Sequence, residues 1–131
     1  PCRDRMRIHE CGAASMDSVL RGDTFDLIIA CLMLGELPED IRLRTLEIAA
    51  EHLSDTGRIV ICDELWPRNR ALSALYHVLF AVFAIPNFIL TRTMIRPVKD
   101  LPELLERCRL RIVRKERFFF NALSVLYVQK E

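Results

Sequence analysis

The sequence predicts an α/β fold built on parallel strands, and two observations carry that prediction. First, two short apolar runs, residues 27–34 and 58–62, are rich in Ile, Val and Leu. Continuous runs of this kind suit parallel strands buried on both faces rather than half-exposed ones. Second, the segment between them has helical spacing. Ile41, Leu43, Leu46, Ile48, Ala49 and Leu53 are interleaved with Arg42, Arg44, Glu47 and Glu51. Strand, helix and strand over residues 25–64 make a βαβ unit with a right-handed crossover. Ligands of open α/β sheets bind at the carboxyl ends of the strands, so chemistry is expected at residues 30–36 and 62–66.

The remaining elements follow in chain order. Residues 6–11 (MRIHEC) partly alternate and predict a short strand, with a loop over 12–16. Residues 17–21 predict a short helical turn, and Arg21-Gly22-Asp23 a turn into the strand at Phe25. Residues 70–90 (RALSALYHVLFAVFAIPNFIL) form the most apolar segment, free of Asp, Glu, Lys and Arg from Ala71 onward. Pro86 cuts that helix short of a bilayer core at ~1.5 Å per residue, and Ser73, His77 and Asn87 interrupt it. A buried or lid helix is the favoured reading, ahead of a spanning one. A membrane-surface helix is the third. Residues 98–108 (VKDLPELLERC) predict a helix with Asp100 as cap, Pro102 in the first turn and Glu103 at the capping-box position. Residues 110–116 and 122–129 predict two strands forming a hairpin across 117–121.

A chain of 131 residues is one domain at most, and with 51% hydrophobic residues it can build a core. The 19 basic and 18 acidic residues leave a net charge of +1, which gives no electrostatic case for nucleic acid. The five cysteines contain no CxxC pair, and no Cys/His cluster has metal-ligand spacing. Cys31 and Cys62 fall inside the predicted strands, where a thiol behaves as a small apolar group. A reduced, cytosolic protein is expected, with membrane association as an alternative.

Four segments resemble class I S-adenosylmethionine-dependent methyltransferases. Phe25-Asp26-Leu27-Ile28-Ile29 is similar to the "FDlvi" opening of that family's fourth strand. Leu34-Gly35-Glu36-Leu37-Pro38 stands where the family often has "lhhlp". Residues 53–61 (LSDTGRIVI) resemble "LkpGGrlvi", the turn into the fifth strand. Residues 100–105 through Ile112-Val113 resemble "dl.elL..aGF.iv", the last helix and sixth strand. The resemblance covers about residues 7–130. It is nearest the small-molecule branch of ubiquinone/menaquinone-type enzymes, or methyltransferases associated with corrinoid proteins. It implies a Rossmann-like methyltransferase sheet, incomplete, closing on a C-terminal antiparallel hairpin. It also implies a single partial domain over residues 1–131, with residues 70–90 as an apolar lid or insert helix.

The sequence departs from the family in lacking a Gly-rich loop, since its four glycines are Gly12, Gly22, Gly35 and Gly57. The acidic residue that ends the family's second strand is absent too. The N-terminal cofactor-binding half is therefore expected to be missing. Such a piece is expected to be inactive alone, and to leave an open apolar edge on the strand at Phe25.

The resemblance implies S-adenosylmethionine as cofactor, held by Gly12 and Ala13 against adenine and flanked by Ala30 and Cys31. Plain core packing is the other reading of the last two, and it is the more expected for Cys31. Glu36 lines the site or favours a helix dipole. Asp63 and Glu64 close the fifth strand as acceptor-side carboxylates or as helix caps. Trp66 stacks on a planar acceptor or packs beneath the apolar helix. His77 and Tyr76 are candidate proton-handling groups in that helix, with Glu64 as a second catalytic candidate; a core histidine is the alternative. Arg92 and Arg96 grip an anionic acceptor or stay solvated. The activity implied is methyl transfer to a small hydrophobic acceptor. A non-catalytic interaction module, binding a partner chain or a second copy at the open edge, is the alternative.

Overall fold

The computed structural model describes residues 6–64, 89, 98, 100–118 and 123–131. Its centre is the expected βαβ unit. Strand β1 (Phe25–Cys31) leads through a short 3-10 turn (Leu34–Glu36) into helix α2 (Glu39–Glu51), which returns the chain to strand β2 (Leu53–Glu64). A shorter helix, α1 (Asp17–Leu20), precedes β1. Helix α3 (Leu101–Arg107) then leads into the hairpin of β3 (Leu110–Phe118) and β4 (Leu123–Lys130).

The four strands form one mixed sheet in the order β1-β2-β4-β3. β1 and β2 are parallel, and β4 inserts antiparallel between β2 and β3. This is a mixed α/β sheet ending in an antiparallel hairpin, as the sequence predicts.

Helix α2 forms where the apolar period of 3.6 coincides with acidic Glu39 and Asp40 in its first turn, a placement the helix dipole favours. Its buried stripe is Thr45, Leu46, Ile48 and Ala49. Leu46 and Ala49 share one core with Leu101, Leu104 and Leu105 of α3, with Ile59 and Ile61 of β2, and with Leu126 and Val128 of β4. Ile28, Ala30 and Ile112 pack onto it. Both helices thus cover the same sheet face. Each fully buried leucine there contributes roughly 2 kcal/mol by transfer from water.

The opposite face corrects the sequence reading. The sequence predicts β1 and β2 buried on both faces, yet Leu27 is 55% and Ile29 is 65% exposed among the described residues. Alternation along a strand sets Leu27, Ile29 and Cys31 against Ile28 and Ala30, and only the second set meets α2 and α3. A continuous apolar run therefore conceals two different environments.

Other boundaries shift as well. Residues 6–12 form no strand and are exposed, because no ladder partner is present for them among the described residues. β2 begins at Leu53 rather than Arg58. Its register with β1 jumps from Phe25↔Leu53 to Leu27↔Arg58, so residues 54–57 bulge out of the ladder. Gly57 makes that bulge possible, since a Cβ there would lie 2.8 Å from Leu53 Cδ1 and 3.0 Å from the Phe25 carbonyl oxygen. Asp100 occupies the expected N-cap position of α3, but its side chain makes no capping hydrogen bond. Pro102 sits in the first turn as predicted. The apolar segment, apart from exposed Ile89, lies outside the described residues. No described helix is long and apolar enough to cross a membrane.

Candidate functional site

The carboxyl ends of β1 and β2 lie side by side, with Ala30 opposite Ile61 and Cys31 opposite Cys62. The chain leaves β1 through Leu32, whose φ of 50° puts a non-glycine residue in the left-handed region. Such a conformation costs roughly 1–2 kcal/mol and persists only where neighbours hold it. Here the Leu32 N–H donates to the Cys62 carbonyl at 2.7 Å, tying the two strand ends together.

The loop that follows is held by two side chains. Asp63 is only 4% exposed, and its Oδ2 accepts hydrogen bonds from the Leu34 N–H at 2.8 Å and the Gly35 N–H at 3.3 Å. Its Oδ1 accepts from the Glu64 N–H at 2.8 Å. On the other side of the loop, Arg42 of α2 donates through Nε to the Leu34 carbonyl at 2.8 Å and through Nη2 to the Leu37 carbonyl at 2.9 Å. A buried carboxylate collects the loop's N–H groups while a guanidinium collects its carbonyls. Bonds to charged partners are the stronger class, so this loop is held firmly at the sheet edge.

Glu64 ends β2 beside it. Burial pushes its carboxyl above the usual glutamate range, and the neighbouring Asp63 charge adds to the effect. A half-buried carboxyl at the carboxyl edge of an α/β sheet, its proton affinity raised by burial, is a candidate proton acceptor. The backbone at this point is braced from the far side, since the Val98 N–H donates to the Glu64 carbonyl at 3.0 Å.

The structure thus brings Ala30, Cys31, Glu36, Asp63 and Glu64 to one edge. Ala30 packs on the core while Cys31 is exposed, which reverses the relative expectation for this pair. Glu36 is exposed in the Leu34–Glu36 turn. Asp63, read from the sequence as an acceptor-side carboxylate or a helix cap, turns its carboxylate into the loop, with both oxygens engaged by backbone N–H groups. Gly12 and Ala13 open a 3-10 turn, Ala13–Ser15, that packs beside α2. Trp66, Tyr76, His77, Arg92 and Arg96 lie outside the described residues. Among the described residues no group of His, Cys, Asp and Glu could hold a metal ion.

Sequence reasoning missed Arg42, read there only as part of the polar face of α2. It also missed the loop-bracing role of Asp63. Asp63 acts on a turn 29 residues away, and Arg42, though only eight and five residues from its acceptors, bonds backbone carbonyls that carry no side-chain signal.

Solved structures share this architecture at high coverage. Mitomycin 7-O-methyltransferase MmcR matches with a TM-score of 0.69 at 17% identity over 98% of this chain. An O-methyltransferase family protein from Burkholderia thailandensis matches with a TM-score of 0.71 at 14% identity, also over 98%. The chain has the fold of solved O-methyltransferases. LepI in complex with SAM also shares the fold, with a TM-score of 0.60 at 16% identity over 83% of this chain. The chain spans 35% of MmcR, 37% of the Burkholderia protein and 27% of LepI. No family model matches the sequence, and no curated protein matches it.

Proposed function

We propose that this chain forms the acceptor-side half of an S-adenosylmethionine-dependent methyltransferase domain acting on a small hydrophobic hydroxyl compound. The single observation that carries the reading is the superposition of 98% of the chain on MmcR and on the Burkholderia O-methyltransferase. Both are O-methyltransferases, and MmcR by its name acts on mitomycin, which supports O-methylation of a small compound over the ubiquinone/menaquinone and corrinoid-associated branches. LepI, solved with SAM, supports the choice of cofactor.

The described residues fit one wall of such a site. Exposed Cys31 and Leu32 and the Leu34–Glu36 turn give a partly apolar edge, and Glu36 and Glu64 supply carboxylates suited to a cationic sulfonium. When bound, the cofactor supplies an activated methyl group for in-line substitution. The protein's part is to position the acceptor and remove its proton. Glu64 is assigned as the base: its carboxylate takes the hydroxyl proton as the acceptor oxygen attacks. Asp63 and Arg42 act at one remove, by holding the loop that carries Glu36.

Isothermal titration of the full-length protein with S-adenosylmethionine tests the reading. Saturable binding, competed by S-adenosylhomocysteine, is expected, and an absence of heat at millimolar ligand overturns it. A second reading is favoured by the exposed Leu27 and Ile29 on β1, which suit a non-catalytic module that binds another chain. Light scattering after gel filtration separates the two. A tight oligomer that ignores the cofactor supports the module.

A further inference from the structure

We infer that Cys31 and Cys62 form a vicinal dithiol that closes into a reversible cross-strand disulfide at the carboxyl edge of β1 and β2. The ligand classes for this site are peroxides, which oxidise it, and trivalent arsenicals, which bridge its reduced form. The inference rests on strand register and on the unequal exposure of the two thiols, and is independent of the function proposed above.

The two cysteines are direct register partners in the parallel ladder. Neighbouring strands lie about 4.8 Å apart, inside the Cα separation of about 4.4–6.8 Å that a disulfide spans. Both side chains leave the sheet on the same face, the one carrying Leu27, Ile29 and Val60, so no helix covering the core stands between them. The Leu32 N–H bond to the Cys62 carbonyl fixes the two strand ends in register at the point where the sulfurs meet. The remaining described cysteines are elsewhere: Cys11 is exposed in the segment before α1, and Cys108 follows α3.

The pair is asymmetric in the way that two-step oxidation requires. Cys31 is exposed among the described residues, and Cys62 is partly buried. Burial pushes the Cys62 thiol up, and Cys31 and Asp63 add to that. Cys62 is thus the resolving partner and Cys31 the one that meets the oxidant. The Cys31 sulfur attacks the hydroxyl oxygen of the peroxide, forming an S–O bond and breaking the O–O bond, and the leaving alkoxide (or hydroxide) takes the Cys31 thiol proton and departs as alcohol (or water). The Cys62 sulfur then displaces the sulfenic hydroxyl, which leaves as water, and the thiol proton goes with it. Two thiols and one peroxide give one disulfide, one alcohol (or water) and one water. Parallel neighbours hold their Cβ atoms slightly farther apart than the roughly 3.5–4.5 Å preferred by a disulfide. The closed form is therefore expected to be readily reduced rather than permanent.

The test is peptide mapping of the reduced full-length protein after one equivalent of hydrogen peroxide and blocking of residual thiols. The expected product is a linked peptide joining Cys31 to Cys62, lighter by two hydrogens and lost on dithiothreitol treatment. Cys31→Ser and Cys62→Ser each abolish it, while Cys108→Ser and Cys11→Ser leave it intact. In a parallel arm, one equivalent of phenylarsine oxide is expected to protect both Cys31 and Cys62 from a monothiol alkylating agent, without any oxidant. The inference is overturned if Cys31 proceeds to sulfinic acid while Cys62 stays free to alkylate. It is equally overturned if the linked peptide involves another cysteine, or if the arsenical fails to protect the two together.

Discussion

The Asp63 carboxylate sits 2.8 Å from the Leu34 amide nitrogen, so the last turn of β2 and the first turn after β1 are joined by a buried charge. The same oxygen reaches Gly35, and the other oxygen reaches Glu64. This one side chain sets the shape of the loop at the carboxyl edge of the parallel pair.

Replacing Asp63 with Ala leaves two buried N–H groups, those of Leu34 and Gly35, without an acceptor. A loss of about 3 kcal/mol is expected, since each orphaned buried donor costs roughly 1–3 kcal/mol. Asp63→Asn keeps one acceptor oxygen and should lose about half as much. Urea unfolding midpoints check both, and equal losses for Ala and Asn would contradict the bracing role.

Arg42→Ala removes the two donors that hold the Leu34 and Leu37 carbonyls. A loss of about 1–2 kcal/mol is expected, the carbonyls being able to recruit water. Because Arg42 and Asp63 grip one loop from opposite sides, the double variant should lose less than the sum of the singles. A coupling of at least about 0.5 kcal/mol is expected from a double-mutant cycle. Strict additivity would show that the two groups hold separate structures.

His52 follows α2 with its ring 6% exposed. Its Nδ1 lies 2.6 Å from the Asp23 carbonyl oxygen and its Nε2 lies 3.1 Å from Asp17 Oδ1. The Asp23 carbonyl is the main cause raising its pKa above the ordinary value of 6.5, and the Asp17 carboxylate adds to it. Both ring nitrogens donate only in the imidazolium form. The folded protein therefore holds the proton more tightly than the unfolded chain. The resulting stabilisation is fully present below about pH 6.5 and is lost as pH rises through the higher folded value. Unfolding midpoints measured from pH 5.5 to 8.5 should fall with pH. Asp17→Asn should reduce this slope without removing it, because the Asp23 carbonyl remains.

Gly57→Ala inserts a methyl group 2.8 Å from Leu53 Cδ1, 2.9 Å from Ser54 Oγ and 3.0 Å from the Phe25 carbonyl oxygen. The two side chains can turn away, but the backbone carbonyl cannot. A destabilisation of about 1–3 kcal/mol is expected from overpacking, with the bulge over residues 54–57 as the part that moves. A thermal melt unchanged from the parent would mean that the ladder relaxes freely there.

If Glu64 is the base in methyl transfer, Glu64→Gln should lower kcat by roughly 10²–10⁴-fold with a smaller change in KM. The parent rate should rise with pH through a glutamate pKa lifted by burial. The variant should lose that limb. A uniform loss of rate with the limb intact would assign the residue to positioning instead.

Much of this architecture was legible before any coordinates. Ile41, Leu46 and Ile48 mark α2 by their spacing, and the apolar runs mark β1 and β2, because periodicity is a local property of the chain. Arg21, Gly22 and Asp23 mark the turn before β1, since turn chemistry is equally local. The apolar run at 27–34 could not show which side of β1 is covered, since a covered and an open face give the same letters. Asp63 was legible as a carboxylate at a strand end, but not as a brace.

The sequence by itself determined the α/β class, the βαβ unit and the hairpin. Only the tertiary structure decided that β4 lies between β2 and β3, that Asp63 and Arg42 clamp one loop, and that Cys31 faces Cys62. The reason is separation along the chain. Asp63 and Leu34 stand 29 residues apart, and no short-range spacing encodes a partner at that distance. Their meeting follows from the register of two strands, which is set when α2 packs its buried stripe onto the sheet.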